Sequence, residues 1–174
     1  MSEAPESSPA DPSLAETLIW QLQGGYAHDS FEMIVTDFPN GARTLPSGGA
    51  SHSPWEILVH LRICQQDLLA YTRFGLGLLD RYDEPDFPDD LWPITSTAAP
   101  PTDQDWDSEI ESYLEDRQRW CALVREQASQ LTTPLAKIDG RTVLRQLVIV
   151  IDHAAYHLGQ LAVMRRTAER GTGA

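Results

Sequence analysis

Nowhere in this chain do apolar and polar residues alternate with a period of two over a strand's length, whereas four stretches repeat apolar residues at steps of three and four. That pattern restricts the fold to packed helices. The clearest period, over about Asp105–Leu131, runs through Trp106, Ile110, Tyr113, Leu114, Cys121, Val124, Ala128 and Leu131. A first helix is predicted from Ser13, an N-cap with Glu16 in the capping-box position, to about Asp37 before Pro39. A second starts at Ser53-Pro54, a serine cap with proline at the first helical position, and ends around Phe74-Gly75. Its inward stripe is Ile57, Leu61, Cys64, Leu68 and Tyr71. A fourth helix is predicted from Thr142 to about Thr167.

Two of the links, 40–54 and the LTTPLAKIDGR turn, are short, and the third, 75–104, is a proline-rich crossover between helices two and three. Four such helices predict an all-α four-helix bundle with an up-down-down-up path. The length suits a single domain, read as 13–168, behind a flexible tail, 1–12, too poor in apolar residues to order itself. A connection as long as the crossover is normally functional or spans the fold. Trp92 and Phe87 within it are expected to close a pocket and to select what enters.

Charge narrows the partners. With 13 Lys+Arg against 26 Asp+Glu the formal charge is -13, a surface that repels nucleic acid and anionic membranes. The one basic cluster, Arg165, Arg166 and Arg170, closes the last helix, where cations suit its dipole. No run reaches the roughly 18 apolar residues of a membrane span. MSEAPESSPADPS has neither the basic nor the apolar region of a signal peptide, so a soluble, cytoplasmic protein is expected. Cys64 and Cys121, without C-x-x-C spacing, read as buried free thiols.

The chemistry lies in the histidines. His153 and His157 are one turn apart in IVIDHAAYHLGQLAVMRR, and His60 lies in SPWEILVHLRICQQDLL. An i, i+4 pair shares one helix face, and a third imidazole from a neighbouring helix completes a three-nitrogen metal site with a position left open. Spacing alone is weak, because five histidines give an accidental H-x-x-x-H about one time in ten. Context strengthens it: the pair follows LVIVI, in a helix apolar nearly all round and therefore buried, where imidazoles need partners. The helix-one stripe, Leu14, Leu18, Gln21, Gly25, His28, Glu32 and Val35, turns from apolar to polar. Counted along a continuous helix at 1.5 Å per residue, His28 comes level with His60 and His157. His28 and Glu32, with Asp29, would then line a cavity beside the metal, and either His28 or Glu32 would serve as proton acceptor. Asp67 and Gln160 read as companions orienting a ligand or as solvated groups, and His52 as an exposed loop residue.

These residues resemble the DinB/YfiT-like family of metal-dependent proteins. The likeness runs through AHDSFEMIVTDFP, HSPWEILVHLRICQQDLL, LWP at 91–93 and DHAAYHLGQLAVMRR, and its specific part is one helix-two histidine combined with the helix-four H-x-x-x-H. The resemblance implies that His60, His153 and His157 bind a divalent metal whose shell water completes, and it implies a homodimer. Relatives include thiol-dependent S-transferases, an isomerase using a low-molecular-weight thiol, and members with no assigned reaction. No dedicated thiol-binding motif is present here.

Two function classes follow. In the first, Zn²⁺ or Ni²⁺, the ions imidazole favours, activates a thiol cofactor or water for S-transfer, isomerisation or hydrolysis of a small-molecule substrate. In the second, the metal serves a non-catalytic stress-response protein, whose closed site takes a fourth protein ligand, His28 or Glu32. Assembly is read from Trp120 on helix three and from Leu144, Val148, Ile151, Leu158 and Leu161 on helix four, apolar groups directed away from the histidine face. A two-fold dimer is the expected outcome.

Overall fold

The computed structural model describes residues 13–25, 27–47, 49–83, 92 and 101–171. The expected tail 1–12 and Phe87 lie outside these. The described residues form five α-helices, one short 3₁₀ segment and no β-strand, apart from an isolated bridge between Pro134 and Thr142. The helices are α1 Leu14–Gln23, α2 Phe31–Val35, α3 Pro54–Gly75, α4 Asp103–Glu126 and α5 Val143–Gly171.

The predicted first helix is two helices. Gly24 and Gly25 sit at φ 75° and 86°, left-handed values that glycine adopts without a Cβ penalty and that stop a helix. Ser30 then caps α2, its hydroxyl accepting from the Met33 backbone N–H. Elsewhere the caps read from the sequence are present. Ser13 accepts from the Glu16 N–H, and Ser53 with Glu56 forms a reciprocal capping box ahead of Pro54. The α4 helix begins earlier than its apolar period suggests, because Thr102 and Asp105 make a second capping box, and it ends at Glu126 instead of near Leu131. The Thr142 hydroxyl accepts from the Arg145 N–H at the start of α5, which runs four residues past Thr167.

Two apolar clusters hold the helices together. One joins Ile19 and Leu22 of α1 to Trp120, Val124, Leu147 and Val150. The other joins Phe31, Phe38, Ile57 and Leu61 to Trp106, Tyr113, Leu158 and Leu161. α3 packs on both α4 and α5, α1 on α4 and α5, and α2 on α5. Gly75 lets the link after α4 fold over the end of α3, since a Cβ there would stand 2.7 Å from Ile138 Cδ1. By length and composition α5 could cross a membrane, with an 18-residue window of mean hydropathy 1.4, although no run in it is uniformly apolar. Much of that apolar character is spent on the two clusters.

The surplus of apolar surface read from the sequence is smaller than expected. Trp120 is completely buried and donates its indole N–H to the Gln65 carbonyl at 3.2 Å, and Leu158 and Leu161 are buried too. Leu144 and Ile151 are partly buried against the first cluster. The large exposed apolar residues of α5 are Val148, Ile149, Tyr156 and Val163.

Candidate metal centre

Because α3 and α5 pack together, one turn of each meets the other. His60 projects from the second turn of α3, and His153 and His157 from successive turns of α5. His60 Nε2 and His153 Nε2 are 3.0 Å apart. The His157 ring centroid lies 5.0 Å from that of His60 and 4.5 Å from that of His153. With metal–nitrogen bonds of about 2.0–2.1 Å, neighbouring nitrogens of a tetrahedral shell stand about 3.4 Å apart, so the closest pair is already within a few tenths of an ångström of that spacing.

Protonation also suits ligation. His157 Nδ1 donates to Gln160 Oε1 at 2.7 Å, which leaves the Nε2 lone pair free. Gln160 thereby fixes which His157 nitrogen carries the proton. Burial, then the charges of His157 and His60, lower the His153 pKa to about 4. Burial also lowers that of His157, against the opposing Gln160 bond. Both imidazoles are therefore neutral at pH 7, the form that binds a metal.

Cys64 joins this group. His60, Cys64 and His153 each offer a ligand atom, and these atoms lie within 4.8 Å of one another, a possible metal-holding set. The thiol was expected only to fill core. Its Sγ lies 3.5 Å from His60 Nδ1 and 3.7 Å from His60 Nε2, beside the first candidate ligand. Burial and the nearby Asp67 push its pKa up to about 12, so the thiol is protonated in the metal-free site. Trp92 stacks parallel on His60 with centroids 3.9 Å apart. His52 stacks beyond it at 3.6 Å. His60, Trp92 and His52 thus form one stack with Cys64 beside His60, and Trp92 also meets His157 edge-on. Sequence reasoning missed His52; its place directly before the Ser53 cap was the available signal, because that cap anchors the loop to α3.

The structure gives His28 and Glu32 other partners. His28 comes level with the histidines only along one continuous helix, which the Gly24-Gly25 break interrupts. His28 donates from Nδ1 to the Asp29 carbonyl and borders a crevice against Ala155, Leu158 and Arg166, and Asp29 pairs with Arg166. Glu32 is taken up by Arg117, and Asp67 accepts from the Tyr82 hydroxyl. Tyr113, stacked on Phe31 at 4.1 Å, borders both the crevice holding His28 and Arg117 and a small cavity beside His153.

Glu32 carries a pH signature. Partial burial pushes its carboxyl up, but the Arg117 hydrogen bond and charge, with backbone and Ser30 bonds, more than reverse this and hold the pKa below 4.5. A carboxylate with a depressed folded pKa contributes stability above its unfolded value, and that contribution fades as pH falls through the folded value. Glu32→Gln should therefore cost about 1 kcal/mol at pH 7, a figure kept small by the half-exposed carboxylate. Urea unfolding should show the gap from the native protein closing below about pH 4.5. An undiminished gap at pH 3.5 would contradict the assignment.

A family model described as the DinB superfamily matches residues 25–161, more than three quarters of the chain. No curated protein and no solved structure matches it. That span contains all three histidines, Cys64 and Trp92, and the chain belongs to the DinB superfamily.

Proposed function

We propose that this protein is a metal-dependent enzyme in which His60, His153 and His157 hold one divalent ion, Zn²⁺ or Ni²⁺, with a coordination position left for a low-molecular-weight thiol or water. The observation that carries the reading is the convergence of two imidazoles from α5 and one from α3, with their ring centroids 4.5–5.0 Å apart. Bound there, the ion would lower the pKa of an incoming thiol or water at neutral pH. The chain's own residues supply position. Gln160 fixes the His157 tautomer, and Trp92, clamped by His52, covers His60 and limits access to small molecules. S-transfer, isomerisation and hydrolysis all follow from such a site, and a shared scaffold does not choose among them.

The test is a thiol screen. Zinc- or nickel-loaded protein should transfer one of several bacterial thiols to an electrophile at least tenfold faster than metal-free protein, with a proton released on thiol binding. Equal rates with and without metal for every thiol would sink the thiol reading. Water-dependent hydrolysis would then be the remaining activity to assay.

One observation favours a second reading, a non-catalytic metal-binding stress-response protein. Cys64 lies close enough to serve as a fourth protein donor and close the site. Cobalt substitution separates the two: a thiolate-to-cobalt charge-transfer band that disappears in Cys64→Ser marks the closed site, and its absence marks the open one.

We read α1 with α2, α3, α4 and α5 as a four-helix bundle with an up-down-down-up path, forming a single domain over 13–168. The reading is supported by the packing of α3 on α4 and α5 and of α1 on α4 and α5. We infer a cytoplasmic protein acting on a small-molecule substrate, and the -13 charge disfavours nucleic acid and anionic membrane as partners. We also propose a homodimer through the outward face of α5. There Val148, Tyr156 and Val163 are 49%, 65% and 51% exposed at near-heptad spacing. Salt should strengthen the association by screening like charges. A monomer mass by light scattering at both low and high salt would exclude it.

A further inference from the structure

Gln65, on α3 one residue past Cys64, is 3% exposed and has only half of its amide satisfied. Its Nε2 donates to the Tyr113 carbonyl at 2.8 Å. Because that partner is a carbonyl, the atom facing it must be the N–H₂ group, so the atom pointing the other way is an oxygen, an acceptor. That Oε1 has no hydrogen-bond partner. Gln65, Tyr113 and His153 line a cavity of about 10 Å³, completed by Leu61, Leu68, Val150 and Ala154. A space of that size holds about one water molecule, which needs polar partners to stay. His153 directs Nε2 at His60, which leaves Nδ1 as its remaining polar atom.

We propose that Gln65 is the positioning residue of His153. A single water in this cavity accepts the His153 Nδ1–H and donates to Gln65 Oε1. The acceptor character of Oε1, dictated by Tyr113, thereby holds His153 in the tautomer whose Nε2 lone pair faces His60 and His157. Gln160 does the same for His157 by a direct bond, so each α5 histidine takes its tautomer from a glutamine carbonyl. The inference rests on the three-histidine reading for its consequence, metal affinity, but not for the tautomer.

The test uses ¹⁵N-histidine-labelled full-length protein, metal-free and with one equivalent of Zn²⁺. Two-bond ¹H–¹⁵N spectra should show His153 protonated at Nδ1 in both states, with a slowly exchanging proton. Gln65→Leu should speed that exchange and weaken zinc binding about 10–100-fold, the usual cost of losing an outer partner of a ligand. Gln65→Glu keeps the acceptor while losing the donor to Tyr113, so it should hold zinc within about threefold of the native protein, well above the leucine variant. A His153 protonated at Nε2 overturns the proposal, as do equal zinc losses in both variants, which would trace the effect to the Tyr113 bond. If the native protein takes up no zinc, the three-histidine reading fails, while the metal-free spectrum still decides the role of Gln65.

Discussion

Alanine at His157 is expected to leave a protein that folds but no longer holds stoichiometric divalent metal. Removing one of three nitrogens should weaken binding by more than the roughly 10–100-fold that outer partners account for. The helices should persist, because the two apolar clusters are built from other residues and close without the ion. Elemental analysis beside circular dichroism measures both. The same pair of measurements on Cys64→Ser decides between the two donor sets the structure offers. If His60, Cys64 and His153 were the ligands, the serine variant would lose the metal and His157→Ala would keep it. The opposite result is expected, since burial keeps the thiol protonated, while His157 already has a partner for its other nitrogen.

The largest stability loss is expected at Trp120. It is completely buried in the cluster that joins α1, α4 and α5. Truncation to alanine removes its packing, opens a cavity and leaves the Gln65 carbonyl without the indole donor. Such a change costs about 3–5 kcal/mol. In a chain of this size that lowers the melting temperature by roughly 10 °C. Urea unfolding of metal-free protein isolates the packing effect. A loss below 1 kcal/mol would mean that the residue is not the buried keystone of α4 described here. Because Trp120 is internal, its loss should leave the mass in solution unchanged, whereas Tyr156→Glu on the outward face of α5 should reduce any dimer.

Much of the architecture was legible because it depends on local rules. Ser13 and Ser53 are read as helix starts from their side chains and the residues that follow, and the structure places a helix behind each. The i, i+4 spacing of His153 and His157 guarantees a shared face whatever surrounds the helix. Gln160, three residues beyond His157, is within reach of it for the same reason. Membership of the DinB superfamily was likewise legible, since it rests on the order of such short motifs along the chain.

Other features were decided only by the tertiary structure. The Gly24-Gly25 break lies inside the stretch from Ser13 to Asp37 that is read as one helix, where two positive-φ glycines make two. Everything counted from that helix moved with it: His28 went to the Ala155 side of α5 and Glu32 to Arg117. Trp120 looked surplus on its own helix and became core once α3 and α5 lay against it. The stack of His60, Trp92 and His52, with Cys64 beside His60, joins residues from a helix, a crossover and a loop. By itself the sequence determined which segments are helical and which side chains share a face, because turn-to-turn geometry is set by backbone hydrogen bonds a few residues apart. The tertiary structure decided which faces meet, because that depends on how helices rotate and on where glycines and crossovers redirect the chain, interactions between residues distant in sequence that no local period encodes.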